Sequence, residues 1–106
     1  MIDNKTRIED ILKSIARIIE ITDCSYEAFI NSIEKQEMVS YHFIIIGEAS
    51  SRITKDFKDK YPQIPWATII AMRNIIVHEY MRTDYKIIWK TAKKDLLLLK
   101  QQLEII

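Results

Sequence analysis

The stretch Arg7–Ile21, RIEDILKSIARIIEI, decides the reading of the fold. Within it Ile8, Ile11, Leu12, Ile15, Ile18 and Ile19 recur at steps of three and four, the spacing that lines one side of an α-helix. Asp3 or Asn4 is placed to cap its start, and the pattern stops near Thr22 and Asp23. The other end of the chain repeats the signal. Tyr85, Trp89, Ala92, Leu96, Leu99, Leu103 and Ile106 follow alternating steps of four and three, a seam that needs antiparallel helical neighbours. Between these ends, Ser25 is positioned to cap a short helical segment through Ile30. Ile33–Lys60 forms the longest candidate helix, with Met38, Tyr41, His42, Ile45, Ala49, Ile53 and Phe57 on its apolar side. Gly47 weakens that helix by about 1 kcal/mol without breaking it, a cost usually offset where a neighbouring helix approaches closely. Tyr61–Pro65 is the clearest break. Pro65 suits the first turn of a further helix through Trp66, Ile69, Ile70, Ile76 and Val77, and Arg82–Asp84 connects it to the last.

Composition agrees with an all-α protein. One Gly and two Pro among 106 residues, with 48% hydrophobic residues, leave too few turn formers for a sheet. The length suits one domain, residues 1–106, folded as an antiparallel four- to five-helix bundle. Sixteen basic and fifteen acidic residues give a net charge of +1, which argues against coating nucleic acid through global charge. The single Cys24 excludes an intrachain disulfide and a cysteine-based zinc site. No charged-then-apolar leader opens the chain, and its apolar runs are too short to span a bilayer. A cytoplasmic protein without a membrane partner is expected.

Chemistry concentrates in Met72–Tyr80, MRNIIVHEY, which holds Arg73, Asn74, His78 and Tyr80 within just over two helical turns. A guanidinium, an imidazole and a phenol form a set suited to holding a phosphodiester and moving protons around it. On a straight helix Arg73 and His78, five residues apart, differ by roughly 140° in direction. Asn74 and His78 share a side, as do Arg73 and Tyr80. Either the helix unwinds near His78, or a second copy of the chain completes the site across a twofold axis. The second is favoured, with some contribution from the first. From Arg73 to Lys94 six basic residues face two acidic ones, and Lys86, Lys90 and Lys93 fall on one side of the last helix. That side suits an RNA backbone or an acidic partner, although a plain solvated surface is the simpler reading. His42 lies among apolar residues and reads as structural, and Trp66 and Trp89 read as core.

The segment from Ile64, IPWATIIAMRNIIVHEYMRTDYKIIWKTAKKDLLLLKQQL, together with IIGEA at Ile45–Ala49 and the opening RIEDILKSIARI, resembles the HepT-like branch of the HEPN proteins. The signature of that branch, an Arg, four residues, a His, any residue and a Tyr, corresponds to Arg73, His78 and Tyr80. The resemblance covers essentially the whole chain. It implies a dimerising helical bundle that cleaves RNA without a metal, as the toxin of a toxin–antitoxin pair. It also implies an MntA-type nucleotidyltransferase partner that transfers AMP from ATP, with Mg, to the motif tyrosine, here Tyr80.

The residues support that chemistry independently. Cleavage by the 2′-hydroxyl of RNA needs a base, an acid and positive charge at the phosphate. His78 suits the proton transfers and Arg73 the phosphate. Because one chain offers one motif histidine, two copies of His78 in a homodimer supply both acid and base. Asn74 is placed to position the phosphate or orient His78, and Tyr80 to donate to a phosphate oxygen or stack on a base. Two features depart from the common pattern: Glu79 stands between His78 and Tyr80, and Tyr41 and His42 precede IIGEA. The alternatives are a noncatalytic nucleotide- or substrate-binding subunit of a nucleotidyltransferase complex and a purely structural dimerising bundle.

Overall fold

The computed structural model describes residues 2–106, an all-α bundle with principal extents of 41 × 27 × 24 Å. Helix α1, Asn4–Ile21, starts where the Asp3 carboxylate accepts a hydrogen bond from the Thr6 amide at 2.8 Å. That bond holds the Asp3 carboxyl below its ordinary range. Ile8, Ile11, Ile15 and Ile18 are buried as the spacing predicts. The helix closes at Thr22, whose hydroxyl and amide both donate to the Ile18 carbonyl. The short α2, Tyr26–Ile30, is capped by Ser25 and buries Phe29.

Helix α3, Ile33–Arg52, differs from expectation in length and in orientation. It ends at Arg52, and a separate α4 runs from Lys55 to Lys60. The break is made by Asn4, fifty residues away in sequence. Its side-chain oxygen accepts from the Thr54 amide at 3.1 Å, and its side-chain amide donates to Thr54 Oγ1 at 3.0 Å. Thr54 in turn caps α4 by accepting from the Phe57 amide. The amide of Thr54 is thus taken by a partner outside the helix, which cannot then continue through it. The apolar side is corrected in part: Ala49 and Ile53 are buried as expected, and Tyr41 and Met38 are not. Tyr41 is 60% and Met38 40% exposed, while the buried residues are Val39, Ser40, Phe43, Ile46, Gly47, Ala49 and Ser50. Helix α3 packs between α1 on one side and the later α5 on the other, so it buries two sides, and small polar residues are among those buried.

Helix α5, Trp66–His78, follows Pro65, and Trp66 is buried with its indole N–H donating to the Tyr61 carbonyl at 3.2 Å. It rests almost wholly on α3. The final helical run comprises α6, Tyr85–Lys90, a π-helical turn Thr91–Asp95, and α7, Leu96–Glu104. Asp84 caps α6. The buried seam is Ile88, Ala92, Leu96, Leu99 and Leu103. Its two successive steps of four fit the wider π turn, which places Ile88 inside and leaves Tyr85 and Trp89 partly buried. Phe29 joins these rings, 5.3 Å from Trp89 and 6.3 Å from Tyr85 between centroids. No helix among the described residues is long and apolar enough to cross a membrane.

Candidate active site around the motif helix

Helix α5 remains α-helical through His78 and loses that form only from Glu79, whose amide donates to the Ile75 carbonyl at 2.8 Å. Unwinding therefore does not bring Arg73 and His78 together. Within one chain they stay about 7.5 Å apart along the axis and on different sides.

Arg73 points inward against α3. A Cβ built on Gly47 would lie 2.1 Å from Arg73 Cβ and 2.7 Å from its Cγ, so the missing side chain is the space through which the arginine stem passes. This is the close helix approach that the glycine foreshadowed. Beyond Gly47, Arg73 Nη2 forms an ion pair with Oε1 of Glu48, on the next residue of α3. The other oxygen of Glu48 lies 3.6 Å from Arg52 Nε. Arg73 Nη1 donates to Asn74 Oδ1 at 2.8 Å, and Arg73 Nε is buried without a partner. Asn74 thus holds the guanidinium through its side-chain oxygen.

His78 and Asn74 are both exposed, one helical turn apart. The His78 side chain forms no hydrogen bond among the described residues. Tyr80 begins a short 3-10 turn, Tyr80–Arg82, fixed by Thr83, whose hydroxyl donates to the Glu79 and Tyr80 carbonyls at 3.2 and 3.0 Å. The Tyr80 phenol is pushed above its usual range, first by desolvation and then by the neighbouring Glu37 carboxylate and Tyr85. Glu37 and Glu48 lie three turns apart on the same side of α3, so one helix supplies a carboxylate near each end of the motif.

The structure also separates functional candidates from structural groups. His42 Nδ1 lies 3.1 Å from the Ser14 hydroxyl between α3 and α1, and desolvation, helped by Arg17, lowers its pKa. Of the three lysines on the last helix, Lys93 is committed elsewhere: it donates to the Thr22 carbonyl at 2.9 Å, closing the C-terminus of α1, and lies over the Trp89 ring. Lys86 and Lys90 remain exposed. Sequence reasoning had singled out Gly47 and the IIGEA segment but not Glu48 or Glu37 as partners of the motif. The signal for Glu48 was its place directly after the only glycine. Nothing local marks Glu37. Among the described residues, no group of three or more His, Cys, Asp or Glu side chains is gathered as a metal site.

Comparison with known proteins places this chain in a family. The chain is 40% identical over 109 residues to a Methanocaldococcus jannaschii protein named "Putative RNase MJ1380", covering 98% of this chain and 96% of that one. It is 38% identical over 102 residues to a Thermococcus cleftensis protein named "Probable ribonuclease HepT", covering 95% and 93% respectively. No solved structure matches it. The family model described as "Ribonuclease HepT-like" matches residues 11–106, a span that includes the α3 glycine–glutamate pair and the whole motif, and the chain belongs to that family.

Proposed function

We propose that this protein is a metal-independent RNA endonuclease whose site is completed by a homodimer, with Arg73 at the phosphate and His78 moving protons. The observation that carries this reading is the unbroken α-helical course of α5 through His78. It leaves an anchored guanidinium and an exposed imidazole on different sides of one chain, so two copies are needed to gather them at one phosphodiester. Association also accounts for Ile75, Val77 and Met81, apolar residues on the motif segment that are 61%, 42% and 91% exposed. Their removal from water favours contact between copies.

In the proposed reaction, one His78 accepts the proton of the 2′-hydroxyl as its oxygen attacks the adjacent phosphorus. The partner copy's imidazole gives a proton to the departing 5′-oxygen. The phosphodiester becomes a 2′,3′-cyclic phosphate and a 5′-hydroxyl, and Arg73 compensates the charge gathering on the non-bridging oxygens. Purified protein is expected to cut RNA in excess chelator. His78→Ala should abolish cutting while preserving helicity and oligomeric state, and chelator-sensitive cleavage would refute the metal-free mechanism.

The biological role proposed is that of a toxin restrained by an MntA-type nucleotidyltransferase, which uses ATP with Mg to adenylylate Tyr80. The Tyr80 oxygen would attack the α-phosphorus and release pyrophosphate. A tyrosine phenol carries its proton near neutral pH, so the transfer requires a base. The attached phosphodiester adds about one negative charge within the motif, which fills the phosphate site and repels RNA. Co-expression with the partner should add AMP to the intact mass in wild type and not in Tyr80→Phe. A neutralised pair without modification would instead favour steric inhibition.

A further inference from the structure

We propose that Glu48 is a positioning residue for RNA cleavage: it fixes the plane and direction of the Arg73 guanidinium so that two of its N–H groups are presented to the phosphate. The inference rests on the ribonuclease reading and extends it to the neighbouring helix. A guanidinium has five N–H donors. Here Nη2 spends one on Glu48, Nη1 spends one on Asn74, and the Nε donor is buried. One donor remains on each Nη, and in this proposal those two serve the phosphate in a two-point contact.

Three features hold this orientation. Gly47 admits the stem and leaves it no room to move towards α3. Asn74 restrains one Nη and Glu48 the other. Glu48 is itself drawn by Arg52 through its second oxygen, so the carboxylate is tethered on both sides. Stability alone is a poor account of the arrangement, because the Arg73 and Glu48 side chains keep 28% and 37% of their exposure and partly exposed ion pairs contribute little to folding. A guanidinium held in place before substrate arrives loses less freedom when it binds, which is the advantage of preorganisation at a reacting phosphate.

Two opposing effects make the role measurable. Neutralising Glu48 removes a negative charge beside the phosphate site, which favours RNA binding, and releases the guanidinium, which slows the chemical step. The test measures steady-state cleavage in chelator by wild type, Glu48→Gln and Glu48→Ala. It also follows the Arg73 Nη resonances by NMR without RNA. The expected result is a kcat lowered about tenfold in Glu48→Gln and further in Glu48→Ala, with KM unchanged or reduced. The Nη signals should be resolved in wild type and averaged by free rotation in Glu48→Ala. Circular dichroism melting identifies a variant that has lost its fold, and Glu48→Gln, which keeps size and an acceptor oxygen, guards against that outcome.

Wild-type kcat in a folded Glu48→Ala protein would overturn the inference and leave the ribonuclease reading intact. A raised kcat/KM without loss of kcat would also overturn it, by making Glu48 a brake. Averaged Nη signals in the wild type would show that the guanidinium is not held. A wild type that binds RNA and never cuts it would sink the ribonuclease reading, and the catalytic role of Glu48 with it.

Discussion

Replacing Gly47 by Ala tests the contact that seats the motif helix. The added methyl would lie 2.1 Å from Arg73 Cβ and 2.7 Å from Cγ. Restoring ordinary contact of roughly 3.5 Å between carbon atoms requires α3 and α5 to separate by about 1.4 Å. Overpacking of this kind costs about 1–3 kcal/mol, and the clash falls at the upper end because both atoms are close to rigid backbone. Alanine is favoured over glycine in a helix by about 1 kcal/mol, so the net loss is about 1–2 kcal/mol. Thermal midpoints of domains this size fall by roughly 4–8 °C per kcal/mol, which predicts a decrease of about 5–15 °C. Urea unfolding followed by circular dichroism at fixed protein concentration measures the loss while excluding mass-action effects of association. Combining Gly47→Ala with Arg73→Gly removes the side chain that the added methyl would strike. The double variant should be more stable than the two single changes predict by addition. Gly47→Ala as stable as wild type, or additive single changes, would refute the close approach of these helices.

Other expected outcomes concern separate parts of the fold. Thr54→Ala removes the α4 cap and the hydroxyl that accepts from Asn4, while keeping the amide bond to Asn4, and should lower stability by about 1–2 kcal/mol in denaturant titration with little change in RNA cleavage. Lowering of the His42 pKa gives a definite sign to pH dependence. Its contribution is present above the usual histidine value of 6.5 and is lost as pH falls towards the depressed folded value. Urea midpoints should therefore decline with acidification below that value, and this part of the slope should disappear in His42→Gln. If the last helix contacts RNA, Lys86→Ala and Lys90→Ala should each reduce the salt dependence of binding by about one counterion. Lys93→Met should instead loosen the α1 terminus and lower the melting temperature, since its amine is bound to the Thr22 carbonyl.

Much of the architecture is legible in local pattern. The α1 isoleucines, the Ser25 cap, the break before Pro65 and the leucine seam each state their own periodicity or capping chemistry, because an outer helix buries one side and its spacing reports that side directly. The order Arg73, Asn74, His78 and Tyr80 is likewise fixed by the chain, as is the angular offset that sets Arg73 and His78 apart on a straight helix. Helix α3 departs from its local pattern because it lies between two partners. Burial on both sides hides Ser40, Gly47 and Ser50 while leaving Met38 and Tyr41 outside, so its composition no longer alternates as a single apolar stripe. Its end was decided by Asn4, whose hydrogen bond across fifty residues is invisible to any local window.

The sequence by itself determined that this chain forms helices, where most of them start, and which side chains are the candidates for its chemistry, because these depend on spacing and caps within a few residues. Only the tertiary structure decided that the motif arginine passes over Gly47 and is held by Glu48, that Lys93 closes α1, and that α5 stays α-helical through His78. Those outcomes depend on which helices pack together and how closely, and packing joins groups whose separation along the chain carries no periodic signal.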